Sequence, residues 1–127
     1  MKQILLFGAG KSATVLIDYL LKNAEEENWQ LVIVDADLNS AQKKIGESNF
    51  GEAVSFDISD AEKRASCIVN ADIVISLLPP ALHFLIAKDC VQLKKNLLTA
   101  SYVDEQMRSL KKEIEANDLL FLCEMGL

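Results

Sequence analysis

I-L-L-F-G-A-G-K-S-A, residues 4–13, decides how this chain folds. An apolar run, Ile4-Leu5-Leu6-Phe7, enters a glycine turn. After the turn Ala13, Leu16, Ile17, Leu20, Leu21 and Ala24 recur at helical spacing. A second apolar run, Leu31-Val32-Ile33-Val34, then stops at Asp35. Strand, G-x-G-x-x-G/A turn, helix, strand and acid, in this order, are what a dinucleotide-binding βαβ unit needs. Gly8 permits the tight turn, Gly10 puts no Cβ between the backbone and a pyrophosphate, and Ala13 lets helix and strand pack closely. The candidate phosphate-binding residues are therefore Gly8, Ala9, Gly10, Lys11, Ser12 and Ala13, backed by the unpaired N–H groups and partial positive charge of the helix start. Gly10-Lys11-Ser12 also looks like the end of a P-loop, but that motif needs glycine where the chain has Leu5. Lys11 accordingly reads as a solvent-facing residue of the first helical turn.

The β–α alternation continues. Leu38, Ala41 and Ile45 predict a short helix, started by Asn39 or Ser40 and ended near Gly46. Ala53-Val54-Ser55-Phe56 predicts a third strand, and Ser59-Asp60-Ala61-Glu62 matches a capping box ahead of a helix through Ala65, Ile68 and Val69. Ile73-Val74-Ile75 is a fourth strand, followed by Pro79-Pro80 and a helix carrying Leu82, Leu85, Ile86, Cys90 and Leu93 on one side. Residues 96–100 predict a fifth strand, Val103, Met107, Leu110 and Ile114 a helix, and residues 119–122 a sixth strand. Strands apolar on both faces, each separated by a helix, indicate a parallel sheet covered on both sides. The expected fold is α/β, a doubly wound parallel sheet (Rossmann) of about six strands in the order 3-2-1-4-5-6. Glu124-Met125-Gly126-Leu127 leaves the last strand without the helix that usually seals such an edge. Residues 1–127 thus read as one dinucleotide-binding domain, an N-terminal fragment of a longer parent whose substrate domain is missing.

In an open parallel sheet a ligand lies across the carboxyl ends of the strands. Asp35 is placed there to accept bonds from the adenosine ribose hydroxyls; a 2′-phosphate would meet like charge, so NAD is expected and NADP is the less favoured cofactor. Asp37 competes for the same role from two residues further on. Asp57 and Ile58 follow the third strand, where adenine would lie; service to the turn at Ser59 is the rival role for Asp57. Ser76, Leu77, Leu78 and Pro79 follow the fourth strand, toward the nicotinamide ribose, although a proline also suits a first helical turn. Ser101 and Tyr102, at the mouth of the fifth strand, are candidates for substrate contact. His83 invites a role as general acid, but it has no partner acid in the sequence, and cap or packing service is the preferred reading. No nucleophile–base pair is legible, so no catalytic residue is assigned.

Composition narrows the partners. A net charge of −6 and an isoelectric point near 4.7 leave no general basic surface for nucleic acid or anionic membrane. The acidic run Glu25-Glu26-Glu27 reads as a solvated helix end or loop, and no stretch approaches the roughly 18 apolar residues of a membrane span. Cys67, Cys90 and Cys123 are odd in number and far apart, which fits neither a disulfide framework nor a metal site, and the single histidine argues against zinc. No signal peptide precedes the first strand, and a reducing cytoplasm is the expected location.

Four segments together resemble the N-terminal domain of saccharopine dehydrogenases (saccharopine reductases): G-A-G-K-S-A after I-L-L-F, I-S-L-L-P-P-A-L-H at 75–83, T-A-S-Y-V at 99–103 and E-M-G-L at 124–127. The resemblance spans nearly the whole chain, and its last two segments are more specific than the glycine turn. It implies a pyridine-nucleotide oxidoreductase of lysine metabolism, acting on a CH–NH bond by hydride transfer between the cofactor and a secondary amine or imine. It further implies that Ser101 and Tyr102 approach a small amino-acid substrate and that Leu78-Pro79 flank the nicotinamide. The substrate domain, and any homodimer built through it, belong to the missing part. Some members of the family carry a basic residue after the second strand and prefer NADP(H); Asp35 departs from that pattern. Two alternatives stand beside this reading: a carboxynorspermidine or homospermidine synthase-like enzyme, and a non-catalytic nucleotide-sensing domain of the RCK/KTN kind.

Overall fold

The computed structural model describes residues 2–10, 13–99, 109–117, 119 and 121–122. Strand β1 (Lys2–Phe7) leads through the glycine turn to helix α1 (Thr14–Glu27), and β2 (Trp29–Val34) follows. Helix α2 (Leu38–Ile45), β3 (Gly51–Val54), α3 (Ala61–Val69), β4 (Ile73–Ser76) and α4 (Pro80–Gln92) come next. The described residues end with β5 (Leu97–Thr99), a helix here labelled α5 (Lys111–Ala116) and the two-residue strand β6 (Phe121–Leu122). All pairings are parallel, in the order β3-β2-β1-β4-β5-β6. The first five strands give the doubly wound order expected from the sequence, and the sixth amounts to the pairing of Phe121 and Leu122 with Leu97 and Leu98.

Alternation along β1 shows why its run is apolar throughout. Leu5 and Phe7 project to one face, where they join Val32, Val34, Val74 and Leu97 beneath α3 and α4. Ile4 and Leu6 project to the other, joining Leu31, Ile33 and Ile75, with α1 and α2 packed over them. Each fully buried Leu, Ile or Phe contributes roughly 1.5–3 kcal/mol relative to exposure, so a polar residue on either face of β1 would be costly. The register aligns the carboxyl ends: Phe7 pairs with Val34 and Ser76, Val34 with Val54, and Ser76 with Thr99. The residues that follow Phe7, Val34, Val54 and Ser76 therefore share one edge of the sheet, level with Thr99.

Several boundaries differ from the sequence expectation. Helix α2 is capped by Asp37, whose carboxylate accepts from the N–H groups of Asn39 (3.0 Å) and Ser40 (3.3 Å), rather than being started by Asn39 or Ser40. The same contacts, led by the Ser40 hydroxyl, hold the Asp37 carboxyl below its ordinary value. Helix α3 is capped by Asp60, which accepts from the Lys63 N–H at 3.2 Å. The Ser59–Glu62 capping box does not form because both the N–H and hydroxyl of Ser59 donate to Asp57, at 2.9 and 2.8 Å. Strand β3 begins two residues earlier than predicted, at Gly51, where any Cβ would come within 2.8 Å of Ile45 Cγ2 on α2. Of the helix predicted through 103–114, residues 103–108 lie outside the described residues, and α5 begins at Lys111.

Candidate functional site: the carboxyl edge of the sheet

The glycine turn is built from two glycines with different duties. Gly8 has φ 99°, in the left-handed region, and a Cβ there would lie 3.2 Å from the carbonyl carbon and oxygen of Leu77. Its replacement is thus opposed by backbone strain and by the β4–α4 loop together. Gly10 is exposed, has no left-handed φ, and a Cβ on it would meet no described atom within 4 Å. Nothing described in the fold requires glycine there. Close approach of a ligand to the backbone would require it, and the residues present fit a pyrophosphate on this observation. Ala13, fully buried, closes the turn with an N–H bond to the Gly10 carbonyl at 3.0 Å. Helix α1 then starts with no side-chain cap from Ala13, whereas α2 and α3 are capped by Asp37 and Asp60. Lys11 and Ser12 lie outside the described residues.

Asp35 joins the turn to the end of β2. Its Oδ2 accepts the Ala9 N–H at 2.6 Å and its Oδ1 accepts the Asp37 N–H at 2.8 Å. Two backbone donors therefore fix a half-buried carboxylate at the rim of a cavity of about 480 Å³. Asp35, Phe56, Asp57, Ile58, Leu78 and Leu82 all line this cavity. Its size and mostly apolar wall suit a planar heterocycle and ribose. Asp57 stands on the rim, but its carboxylate is engaged by Ser59, which holds it below its ordinary value, first through the Ser59 N–H and then through the hydroxyl. The turn-forming role is thus what the Asp57 side chain performs, while Ile58 supplies apolar wall.

Beyond β4, the Leu77 N–H donates to the Phe7 carbonyl at 2.8 Å, which presses the loop against Gly8. Leu78 lines the same cavity as Asp35, and Pro79 is exposed just before α4. Ser76 is placed differently from a ligand contact: it is fully buried, and its Oγ lies 2.7 Å from His83 Nδ1. His83 is buried on α4 with Thr99 Oγ1 3.1 Å from the same nitrogen. Ser101 and Tyr102 lie outside the described residues. Among the described residues no group of three or more His, Cys, Asp or Glu is placed to hold a metal ion, and no helix is long and apolar enough to cross a membrane.

One element of the site was not anticipated. Arg64, buried on α3, donates through Nε to Asp89 Oδ2 on α4 (2.7 Å) and through Nη1 to the Ile58 carbonyl (2.6 Å). The ion pair therefore ties the loop bearing Ile58, a wall of the cavity, to two helices. The partners are 25 residues apart and carry no local signal, although Arg64 falls four residues before the buried Ile68 on the same helical stripe.

The sheet order, the glycine turn and the acid locked onto it define a Rossmann domain of the dinucleotide-binding class. The chain belongs to the family described as saccharopine dehydrogenase NADP binding domain, whose model matches residues 4–122. It is 31% identical to the alpha-aminoadipic semialdehyde synthase of Arabidopsis thaliana, a match covering 98% of this chain and 13% of that protein. It is 29% identical to the saccharopine dehydrogenase [NADP(+), L-glutamate-forming] of Saccharomyces cerevisiae, covering 99% of this chain and 27% of the relative. The solved apo saccharopine dehydrogenase (L-Glu forming) of the same yeast superposes with a TM-score of 0.89 over 100% of this chain and 28% of that one. The chain therefore spans a minor part of the relatives it matches. Neither the polyamine-synthase reading nor the RCK/KTN reading is favoured by these similarities.

Proposed function

We propose that this chain binds a nicotinamide dinucleotide across the carboxyl ends of its strands and forms the cofactor-binding part of a saccharopine dehydrogenase-like oxidoreductase. The reaction class is oxidation or reduction at a CH–NH bond of a small amino-acid substrate in lysine metabolism. The observation that carries the binding reading is the bridge from the Ala9 N–H to Asp35, which fixes the acid of β2 against the glycine turn at the mouth of the apolar cavity. Gly8, Ala9, Gly10 and Ala13, with Lys11 and Ser12 by motif, would hold the pyrophosphate at the start of α1. Asp35 would accept the ribose hydroxyls, Ile58 would lie against the adenine, and the Leu77–Pro79 loop, whose Leu78 also lines the cavity, would run from it toward the nicotinamide side. When bound, the nicotinamide supplies the hydride acceptor or donor. By motif match Ser101 and Tyr102 belong to the substrate side, and the groups that bind the rest of the substrate and move protons are assigned to a further domain of a longer protein. A reducing compartment such as the cytoplasm suits the free thiols Cys67 and Cys90.

The family description and the yeast relative's name specify NADP. For this chain we favour NAD(H), because the Asp35 carboxylate is pinned by two backbone N–H groups and cannot swing away from a 2′-phosphate. Titration calorimetry of the chain with NADH and NADPH tests the reading: tighter NADH is expected, and no binding of either nucleotide defeats it. A longer polypeptide containing residues 1–127 should oxidise saccharopine, whereas the 127-residue chain alone should not. Activity in the short chain would show that the catalytic groups are misassigned.

A further inference from the structure

Ser76, His83 and Thr99 form a buried polar cluster that the cofactor-binding scheme leaves without a task. Ser76 and Thr99 are the last residues of β4 and β5 and pair with each other across the sheet. His83 reaches them from the first turns of α4, with Nδ1 2.7 Å from Ser76 Oγ and 3.1 Å from Thr99 Oγ1, while Nε2 lies 3.4 Å from the latter. The three are 0%, 4% and 8% exposed, so a bound nucleotide cannot reach their side chains by simple contact. Buried polar atoms cost stability wherever they are incompletely bonded, so the fold keeps these three together at a cost an apolar trio would not carry.

What the cluster touches gives it a purpose. Ser76 is followed by Leu77, whose backbone is clamped to β1 by its N–H bond to Phe7 and stands against Gly8. Thr99 is followed, two residues on, by Ser101 and then Tyr102. His83 thus joins the loop bordering the nicotinamide side to the strand that leads to the proposed substrate contacts. We propose that His83 is a positioning residue for the nicotinamide half of the site: its ring, hydrogen-bonded through Nδ1 with the Ser76 hydroxyl and lying against Thr99, sets the carboxyl ends of β4 and β5 relative to the glycine turn. The adenosine cavity, held by Asp35 and the Arg64–Asp89 pair on its other side, meets this segment only through Leu78 and Leu82 and should depend on it less. The proposal rests on the dinucleotide reading above.

Calorimetry with NADH and with AMP, which fills the adenosine cavity alone, separates the two halves. His83→Leu leaves two buried hydroxyls without their ring partner and should weaken NADH about tenfold while changing AMP less than about twofold. His83→Asn, whose amide oxygen can stand near the Nδ1 position, should restore most of the loss. Equal losses for NADH and AMP, or an unchanged NADH affinity, would reduce His83 to packing and overturn the proposal. A second measurement needs no variant: ¹⁵N resonances of the His83 ring should move on saturation with NADH and stay in place with AMP. A ring signal indifferent to NADH overturns the proposal even where His83→Leu fails to fold. Failure of the unaltered chain to bind NADH at all would instead remove the dinucleotide reading, and this inference with it.

Discussion

Replacing Asp35 by asparagine isolates the charge that we hold responsible for cofactor choice. The side chain keeps its shape and can still present its oxygen to the Ala9 N–H, the shorter of the two bonds at 2.6 Å. Its amide nitrogen then faces the Asp37 N–H, which loses its acceptor at a cost of about 1 kcal/mol, so the fold should survive with a midpoint a few degrees lower. For a 2′-phosphate about 5 Å from the carboxylate, Coulomb repulsion per unit charge is about 1–3 kcal/mol across effective dielectrics from water to protein surface. Asp35 is half-buried, so solvent screening favours the lower part of that range. Relief of the repulsion should raise NADPH affinity roughly tenfold. NADH should lose roughly tenfold as its ribose hydroxyls exchange a charged acceptor for a neutral one. Calorimetry on the unaltered chain and the variant, at one fixed low salt, reads both changes. An NADPH affinity indifferent to the substitution, or a preference for NADPH already present in the unaltered chain, refutes the reasoning.

Gly10→Ala should leave thermal stability unchanged or slightly raised, since the Cβ meets no described atom, yet weaken NADH at least about tenfold; unaltered binding would show that no ligand approaches there. Asp89→Ala strands the buried Arg64 and should cost about 3–5 kcal/mol in denaturant unfolding, a loss below about 1 kcal/mol marking the pair as dispensable. In a Cys123→Ser background, Cys90, pushed up to about 12 chiefly by burial, should resist thiol reagents until the protein unfolds, and Cys67, raised by burial and then by Glu52, should react slowly in the native state. The carboxyls of Asp37 and Asp57 are depressed in the fold, so their stabilisation is present above about pH 4 and disappears as pH falls through their folded values. The stability gap between the unaltered chain and Asp37→Asn should accordingly narrow from about pH 5 to about pH 2, and a constant gap would count against the capping role.

The parts of this fold that were legible from sequence are those dictated by periodicity. Strands β1, β2 and β4 had to be apolar on both faces once helices cover both, and a glycine at φ 99° had to stand where the chain turns against Leu77. The caps were misplaced because Asp, Asn and Ser are nearly equivalent at that position. Asp37 and Asp60 prevail over Asn39 and Ser59 through contacts a few residues away, Ser59 being held by Asp57. Strand β3 was displaced because packing against Ile45 selects Gly51, whereas the pattern gave weight to Val54 and Phe56. His83 stands three residues before Ile86 and seven before Cys90, both fully buried, a spacing from which its interior place could have been read. The Arg64–Asp89 pair could be found only once α3 and α4 were brought together.

The contact between Gly8 and Leu77 also bears on how the site comes into being. The glycine turn lies almost seventy positions before the residue that props it, and β1 acquires its second neighbour only when β4 arrives. Loop-closure entropy makes such a pairing late among the contacts a growing chain can form. A peptide ending after Asp35, although it holds every residue of the βαβ signature, would lack the floor beneath its own turn. Nucleotide affinity should therefore emerge only after β4 has docked, making cofactor binding in refolding experiments a reporter of the sheet's central closure.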